Sequence, residues 1–151
     1  MKEGRRIGLN HMTAKTFLVG NKGDRIMVGS KNAIATVAVR DLDAAKRFYE
    51  EKLGLKPSPE QQEGAVSYEV GTGTLFVYPS QYAGTNHATA VTWSVGADLD
   101  DIVRKLKSKG VKFEHYDLPD AKREGVIHVG GGLRLAWFKD DDDNIHALAS
   151  G

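Results

Sequence analysis

The sequence predicts an α+β fold made of two tandem copies of one strand–helix–strands module. A repeat predicts it: Asp41-Leu42-Asp43 recurs as Asp98-Leu99-Asp100, and Gly54-Leu55-Lys56 recurs as Gly110-Val111-Lys112. Each aspartate lies where a helix N-cap belongs, and each glycine lies where a left-handed residue ends a helix. Because only two copies occur, the repeat indicates paired modules rather than a solenoid. Chance agreement between two common cap patterns is the alternative.

The spacing of apolar residues places the elements within each copy. Two sets keep apolar side chains at helical spacing: Ala44, Ala45, Phe48, Tyr49 and Leu53 in the first copy, and Leu99, Ile102, Val103 and Leu106 in the second. They predict helices near residues 43–53 and 98–109. Runs of β-branched, aromatic and aliphatic residues predict strands at 33–39, 66–70, 75–78, 88–95, 111–114, 126–129, 133–138 and 145–148.

The first 32 residues differ from the rest of the chain. Two short β-prone runs, residues 16–19 and 25–28, flank a Gly-Asn-Lys-Gly-Asp segment, which predicts a hairpin. Residues 1–32 are interpreted either as a native extension or as a remnant of cloning, and they take no part in the functional argument. The domain is predicted to span residues 33–149, with modules at 33–86 and 87–149.

Composition excludes several classes of function. The chain of 151 residues has 21 Lys and Arg against 20 Asp and Glu, so no electrostatic argument favours nucleic acid or an anionic membrane. No apolar run approaches the ~18 residues of a membrane helix, and no apolar segment of a secretory signal follows the N-terminus. The absence of cysteine excludes disulfides and thiolate chemistry. We therefore expect a cytoplasmic protein.

Two signatures resemble those of a known superfamily. The first runs from Val37 through Asp41-Leu42 and Phe48-Tyr49 to Leu53-Gly54, and the second runs from Ala136 to Asn144. Together, with the repeat between them, they resemble the vicinal oxygen chelate superfamily of glyoxalases, bleomycin-resistance proteins and extradiol dioxygenases, over residues 33–149. One departure is that Asp141-Asp142-Asp143-Asn144 replaces Pro-Asp-Gly-Asn, which predicts a positive φ at Asp143.

The resemblance implies a specific architecture and chemistry. Two βαβββ modules would form a curved mixed sheet, shaped as a cup, with the helices outside, and a homodimer is expected. In metal-dependent members the cup holds a divalent ion bound by His and Glu side chains from the strands. The positions that match those ligands are Ile34, Ala90 and Ala147. Their side chains have no lone pair to donate, so we predict no metal and no cofactor at the usual place.

The remaining polar candidates are interpreted as structural. The five histidines show no ligand spacing, and strand alternation turns His146 away from the cup. The run Asp140–Asp143 lacks the glycine and glutamate of a calcium loop, so it predicts a turn. Gly130-Gly131-Gly132 lacks the lysine of a phosphate loop and predicts a hairpin turn. Ser80 has no visible His-Asp partners, and no catalytic residue is predicted.

Four residues are predicted to bind a ligand: Thr36, Tyr78, Thr92 and Trp137. Aromatic rings offer stacking area and hydroxyls fix orientation, although core packing is an equal alternative for the aromatics. The sequence thus favours a metal-free protein that binds a small organic molecule. The alternatives are a glyoxalase-like lyase or isomerase, or a dioxygenase, which would need a Lewis acid. An interaction protein is a third hypothesis, and fold alone does not choose among them.

Overall fold

The computed structural model describes residues 27–151. The chain divides into two compact units, Met1–Ala33 and Ile34–Gly151. In the first unit the described part contains a 3-10 turn, Val28–Ser30. The predicted hairpin runs, 16–19 and 25–28, lie outside the described residues except for Met27 and Val28.

The first module consists of one helix and one four-stranded sheet. Helix α1 (Leu42–Arg47) continues as a π-helical turn (Phe48–Lys52). The strands are β1 (Ala35–Val39), β2 (Lys56–Pro57), β3 (Val66–Val70) and β4 (Gly73–Pro79). Their order in the sheet is β1-β4-β3-β2, with β1 parallel to β4 and the other pairs antiparallel.

The second module repeats this plan and extends it. Helix α2 (Leu99–Ser108) follows a 3-10 turn, Gly96–Asp98. The strands are β5 (Thr89–Ser94), β6 (Phe113–Glu114), β7 (Lys122–Glu124), β8 (Ile127–Gly130), β9 (Leu133–Lys139) and β10 (Ile145–Ser150). The order is β5-β10-β9-β8-β7, and β6 also pairs with β9. Strand β5 is parallel to β10, as β1 is to β4. Within residues 27–151, no helix has the length and apolar character needed to cross a membrane.

The structure confirms the predicted α+β class, the repeat and both helices. It adds two short strands, β2 and β7, that no hydrophobic pattern indicated. Strand β2 contains Pro57, which is tolerated because it lies at the edge of its sheet. Strand β7 reads Lys-Arg-Glu and is fully exposed, so it shows no apolar alternation.

The two predicted N-caps behave differently. The carboxylate of Asp41 accepts hydrogen bonds from the backbone N–H groups of Asp43 and Ala44, at 2.9 and 3.1 Å. Asp98 occupies the N-cap position of α2, but its side chain makes no capping hydrogen bond. The prediction of a capping role for Asp98 is therefore wrong. A 3-10 turn leads into α2 and gives Asp98 a backbone with ψ near 2°, unlike the extended backbone of Asp41.

Both predicted turns adopt the backbone that their residues suggested. Gly131 and Gly132, with φ of 58° and 78°, connect β8 to β9 across the paired residues Gly130 and Leu133. A two-residue hairpin turn of this kind needs positive φ at both positions, which glycine adopts without strain. Asp143 has φ of 64°, as predicted for its place in the closing turn.

The hydrophobic core lies on the helix side of both sheets. Val37 and Val39 of β1 and Val91 of β5 are buried there, and Trp93 packs against the same core. Ala35, which alternation in β1 places on the same side as Val37 and Val39, is exposed. The opposite face of each sheet, called the cup face below, presents the alternate residues of the same strands.

We predict that replacing Asp41 with alanine lowers the free energy of unfolding by about 1 kcal/mol, because two backbone N–H groups lose their acceptor. Asp98→Ala is the matched control, and we expect it to change stability by less than about 0.5 kcal/mol. Urea unfolding followed by circular dichroism measures both. Equal losses in the two variants would contradict the assignment of one functional cap.

Candidate functional site

The cup face of the first sheet carries two of the predicted ligand-binding residues. In the parallel register, Thr36 lies beside Phe76 and Ala38 lies beside Tyr78. The rings of Phe76 and Tyr78 stack with their centroids 6.0 Å apart, and Tyr78 is 37% exposed. The hydroxyl of Thr36 donates to the backbone oxygen of Ile34 at 3.2 Å. This surface therefore offers the exposed ring of Tyr78, stacked on the half-buried ring of Phe76.

The cup face of the second sheet carries the other two. Thr92 and Trp137 flank Ala147, one on each neighbouring strand. Trp137 is half-buried, and its indole N–H donates to the hydroxyl of Thr89 at 3.3 Å. Thr92 is exposed. Within the part of the chain that the structure describes, no hydrogen bond or ring contact joins the pair Thr36 and Tyr78 to the pair Thr92 and Trp137, so a shared site stays a prediction.

The positions that resemble metal-ligand positions do not suit a metal. Ile34 is 56% exposed, Ala90 is exposed and Ala147 is buried between its two neighbouring strands. None of the three side chains can coordinate an ion. Among residues 27–151, no group of three or more His, Asp or Glu side chains is placed to hold one. The donor set therefore does not fit a divalent ion at this place.

Sequence analysis interpreted one residue of the cup face, His128, as structural, and its surroundings suggest a further role. It lies opposite Leu135 in the antiparallel pair β8–β9, and its ring meets that of Trp137 edge to face, with centroids 5.0 Å apart. Tyr116 contacts the same indole at 5.3 Å. His128 also lines a cleft of about 400 Å³ between β8, β9 and the loop before β7. No sequence pattern indicated this grouping of rings, because it depends on the register of β8 against β9 and on the position of the loop that carries Tyr116.

His146 lies on the helix side, as strand alternation predicted, within a chain of buried hydrogen bonds. The indole N–H of Trp93 donates to Nδ1 of His146 at 3.0 Å. The other ring nitrogen, Nε2, lies 3.0 Å from the hydroxyl of Tyr49, which donates to Asp140 at 2.6 Å. Because Nδ1 accepts, the proton of the neutral ring is on Nε2 and is donated to Tyr49.

Burial sets the protonation of this chain. It lowers the pKa of His146 from 6.5 to about 4, so the ring is neutral near pH 7. Burial, followed by the nearby charge of Asp140, raises the pKa of the Tyr49 hydroxyl. Both groups are thus held uncharged, and their role is structural.

The acidic run Asp140–Asp143 is a turn, as predicted. One carboxylate oxygen of Asp140 accepts from the backbone N–H groups of Asp142 and Asn144, both at 2.9 Å. The carboxylate of Asp142 accepts from the backbone N–H of Arg40 at 2.9 Å. Burial raises the pKa of the Asp142 carboxyl, and this effect outweighs the opposing effect of the hydrogen bond from Arg40. Because these oxygens are used within the protein, the calcium interpretation fails.

The match to a family model now decides the identity of the fold. The model of the glyoxalase/bleomycin resistance protein/dioxygenase superfamily matches residues 31–145. The chain belongs to this superfamily. Among curated protein sequences, none matches the chain significantly.

Solved structures of superfamily type are similar to this chain. Lactoylglutathione lyase from Agrobacterium tumefaciens is 18% identical, covers 81% of this chain and 94% of its own, and superposes with a TM-score of 0.59. The fosfomycin resistance protein FosX from Mesorhizobium loti is 16% identical, with coverages of 83% and 94% and a TM-score of 0.59. The oxidase ChaP-H2 is 25% identical, with coverages of 80% and 93% and a TM-score of 0.60. The first two similarities show the fold alone.

We predict that His146 makes stability depend on pH. The ring binds a proton less readily in the folded protein than in the unfolded chain, so its contribution is complete above about pH 6.5. It is lost as the pH falls toward about 4, by roughly 3 kcal/mol in total. Urea unfolding at a series of pH values measures this dependence.

In the variant His146→Gln, the free energy of unfolding should depend much less on pH between pH 6.5 and 4, because no imidazole remains to be protonated on unfolding. His87→Gln, at an exposed position, is the control and should keep the slope. An unchanged slope in His146→Gln would contradict the assignment.

Proposed function

We propose that this member of the superfamily binds a small organic molecule on the cup face without a metal ion at the family's usual position. The observation that carries the proposal is the donor set, because Ile34, Ala90 and Ala147 supply no ligand atom. A Lewis acid needs at least three protein ligands at a site of this kind. The chemistry of glyoxalases and dioxygenases is therefore not supported at this place.

The cup face of the second sheet supports a binding role. It combines the half-buried ring of Trp137, the rings of Tyr116 and His128 against it, and a cleft of about 400 Å³ next to them. Small-molecule sites are concave, mostly apolar and supplied with a few polar groups. In this proposal Trp137 and Thr92 contact the ligand from the second sheet, and Tyr78 and Thr36 contact it from the first.

We predict that Trp137→Ala and Tyr78→Ala each weaken ligand binding by about tenfold or more, since buried aromatic contacts dominate such sites. Ligands are found by thermal-shift screening of small aromatic compounds, and their Kd values are measured by isothermal titration calorimetry. Tyr82→Ala is the matched control, because Tyr82 is an exposed tyrosine in the loop after β4. Its Kd should equal that of the unchanged protein.

Chelation separates this proposal from an enzyme that uses a metal. Binding should be unchanged after treatment with EDTA, and elemental analysis should find no stoichiometric Zn, Ni or Fe. About one such ion per chain, together with loss of binding or turnover on chelation, would favour a lyase, isomerase or dioxygenase instead. The similarity to ChaP-H2, whose name describes an oxidase, makes oxidase activity a necessary part of that assay.

We further propose that the chain forms a homodimer in the cytoplasm. Apolar side chains remain exposed in the domain, among them Ile34, just before β1, at 56% and Leu133, in β9, at 46%. Burial of such surface stabilises association. Sedimentation velocity at tens of micromolar protein should show a dimer, and a single species of 16.5 kDa would reject the proposal.

A further inference from the structure

His128 has one ring nitrogen whose role is fixed by the backbone. The N–H of Tyr116 donates to Nε2 of His128, with 3.1 Å between the nitrogens. A nitrogen that accepts a hydrogen bond carries a lone pair and no proton. The neutral ring therefore carries its proton on Nδ1, and this position is an N–H donor.

That donor is buried and has no partner among the residues that the structure describes. His128 is 2% exposed, and Nδ1 makes no hydrogen bond to any atom of residues 27–151. Burying a polar group without a partner is unfavourable, so native proteins retain few such groups, and these often belong to functional sites. The unused donor of His128 points to a ligand rather than to core packing.

The cleft beside His128 has the character of a small-molecule site. Its wall is mostly apolar, and its volume of about 400 Å³ lies within the range of ligand clefts. The apolar part is formed by Leu118, Pro119, Ala121, Leu133 and Leu135. The unpartnered donor of His128 beside this apolar wall favours a largely apolar molecule with an acceptor.

The loop that forms one wall is held close to strand β8. A Cβ atom at Gly130 would lie 3.0 Å from the backbone oxygen of Asp120 and 3.2 Å from the Cα of Ala121. The absence of a side chain at Gly130 thus allows loop and strand to approach. The exposed carboxylate of Asp120, which also lines the cleft, disfavours an anionic ligand.

We propose that this cleft is a ligand subsite in which Nδ1–H of His128 donates to a carbonyl oxygen of a mainly apolar, uncharged molecule. The subsite rests on the proposed function, because it shares the cup face with Trp137, 5.0 Å away between ring centroids. The ligand class in this proposal is a ketone, amide or ester with an aromatic or branched hydrocarbon part. Neither recognition nor orientation requires an ion.

Three probes of similar size test the subsite on the full chain. Acetophenone and ethylbenzene differ by a carbonyl in place of a methylene, and benzoate adds a negative charge. Kd values are measured from NMR shift changes of the leucine methyl groups of the cleft. We expect acetophenone to bind about tenfold tighter than ethylbenzene, and benzoate to bind more weakly than acetophenone.

The variant His128→Phe keeps an aromatic ring and removes the donor, so it should bind acetophenone and ethylbenzene equally. His87→Phe replaces an exposed histidine in the loop before β5 and should keep the preference. If His128→Phe does not fold, a measurement on the unchanged protein still tests the proposed hydrogen bond. Its His128 Hδ1 and Nδ1 resonances should shift with acetophenone and stay in place with ethylbenzene.

Several results would overturn the subsite. They are equal binding of acetophenone and ethylbenzene by the unchanged protein, tighter binding of benzoate, no cleft shift with any probe, or a preference that survives in His128→Phe. The proposed function is judged separately. A ligand whose binding depends on Trp137 and not on His128 would contradict the proposed subsite. It would still agree with metal-free binding on the cup face.

Discussion

One buried carboxylate, that of Asp140, joins the two modules. Its Oδ2 accepts from the hydroxyl of Tyr49 on the π-helical turn after α1, at 2.6 Å, and from the side-chain amide of Asn144, at 2.8 Å. The same amide donates to the backbone oxygen of Ala38 in β1 at 2.8 Å. The turn before the last strand is thereby fixed to the first strand and the first helix. Hydrogen bonds to a buried charge are stronger than neutral ones. We therefore expect that removing the hydrogen bonds to Asp140 destabilises the fold strongly.

The polar interactions of the two sides of the sheets serve different purposes. On the helix side, the chain from Trp93 through His146 and Tyr49 to Asp140 satisfies each donor with an acceptor. Such a network specifies one arrangement of the modules when all its members are satisfied. On the cup face, His128 retains an unused donor. The difference explains why His146 is assigned to stability and His128 to recognition, although both are buried histidines of the second sheet.

The superfamily fold is compatible with several chemistries, and the side chains on its strands decide among them. In this chain the positions at Ile34, Ala90 and Ala147 are occupied by hydrocarbon, which removes coordination there, and Ile34 and Ala90 leave apolar surface exposed. Apolar surface on a concave face favours binding of organic molecules, because it is removed from water when a ligand enters. The same substitutions that argue against a metal therefore support a binding role.

The sequence by itself determined the α+β class, the two modules, both helices and the closing turn. These depend on local signals: helix-cap aspartates, apolar spacing and glycine or aspartate at positions of positive φ. It also assigned His146 to the helix side, because alternation along one strand is a local property. Tertiary structure alone decided that Asp98 makes no cap and that β2 and β7 exist. It alone brought His128, Trp137 and Tyr116 together beside a cleft. These features depend on which strands pair and in which register. Pairing and register are set by burial and hydrogen bonding between residues that are distant in the chain.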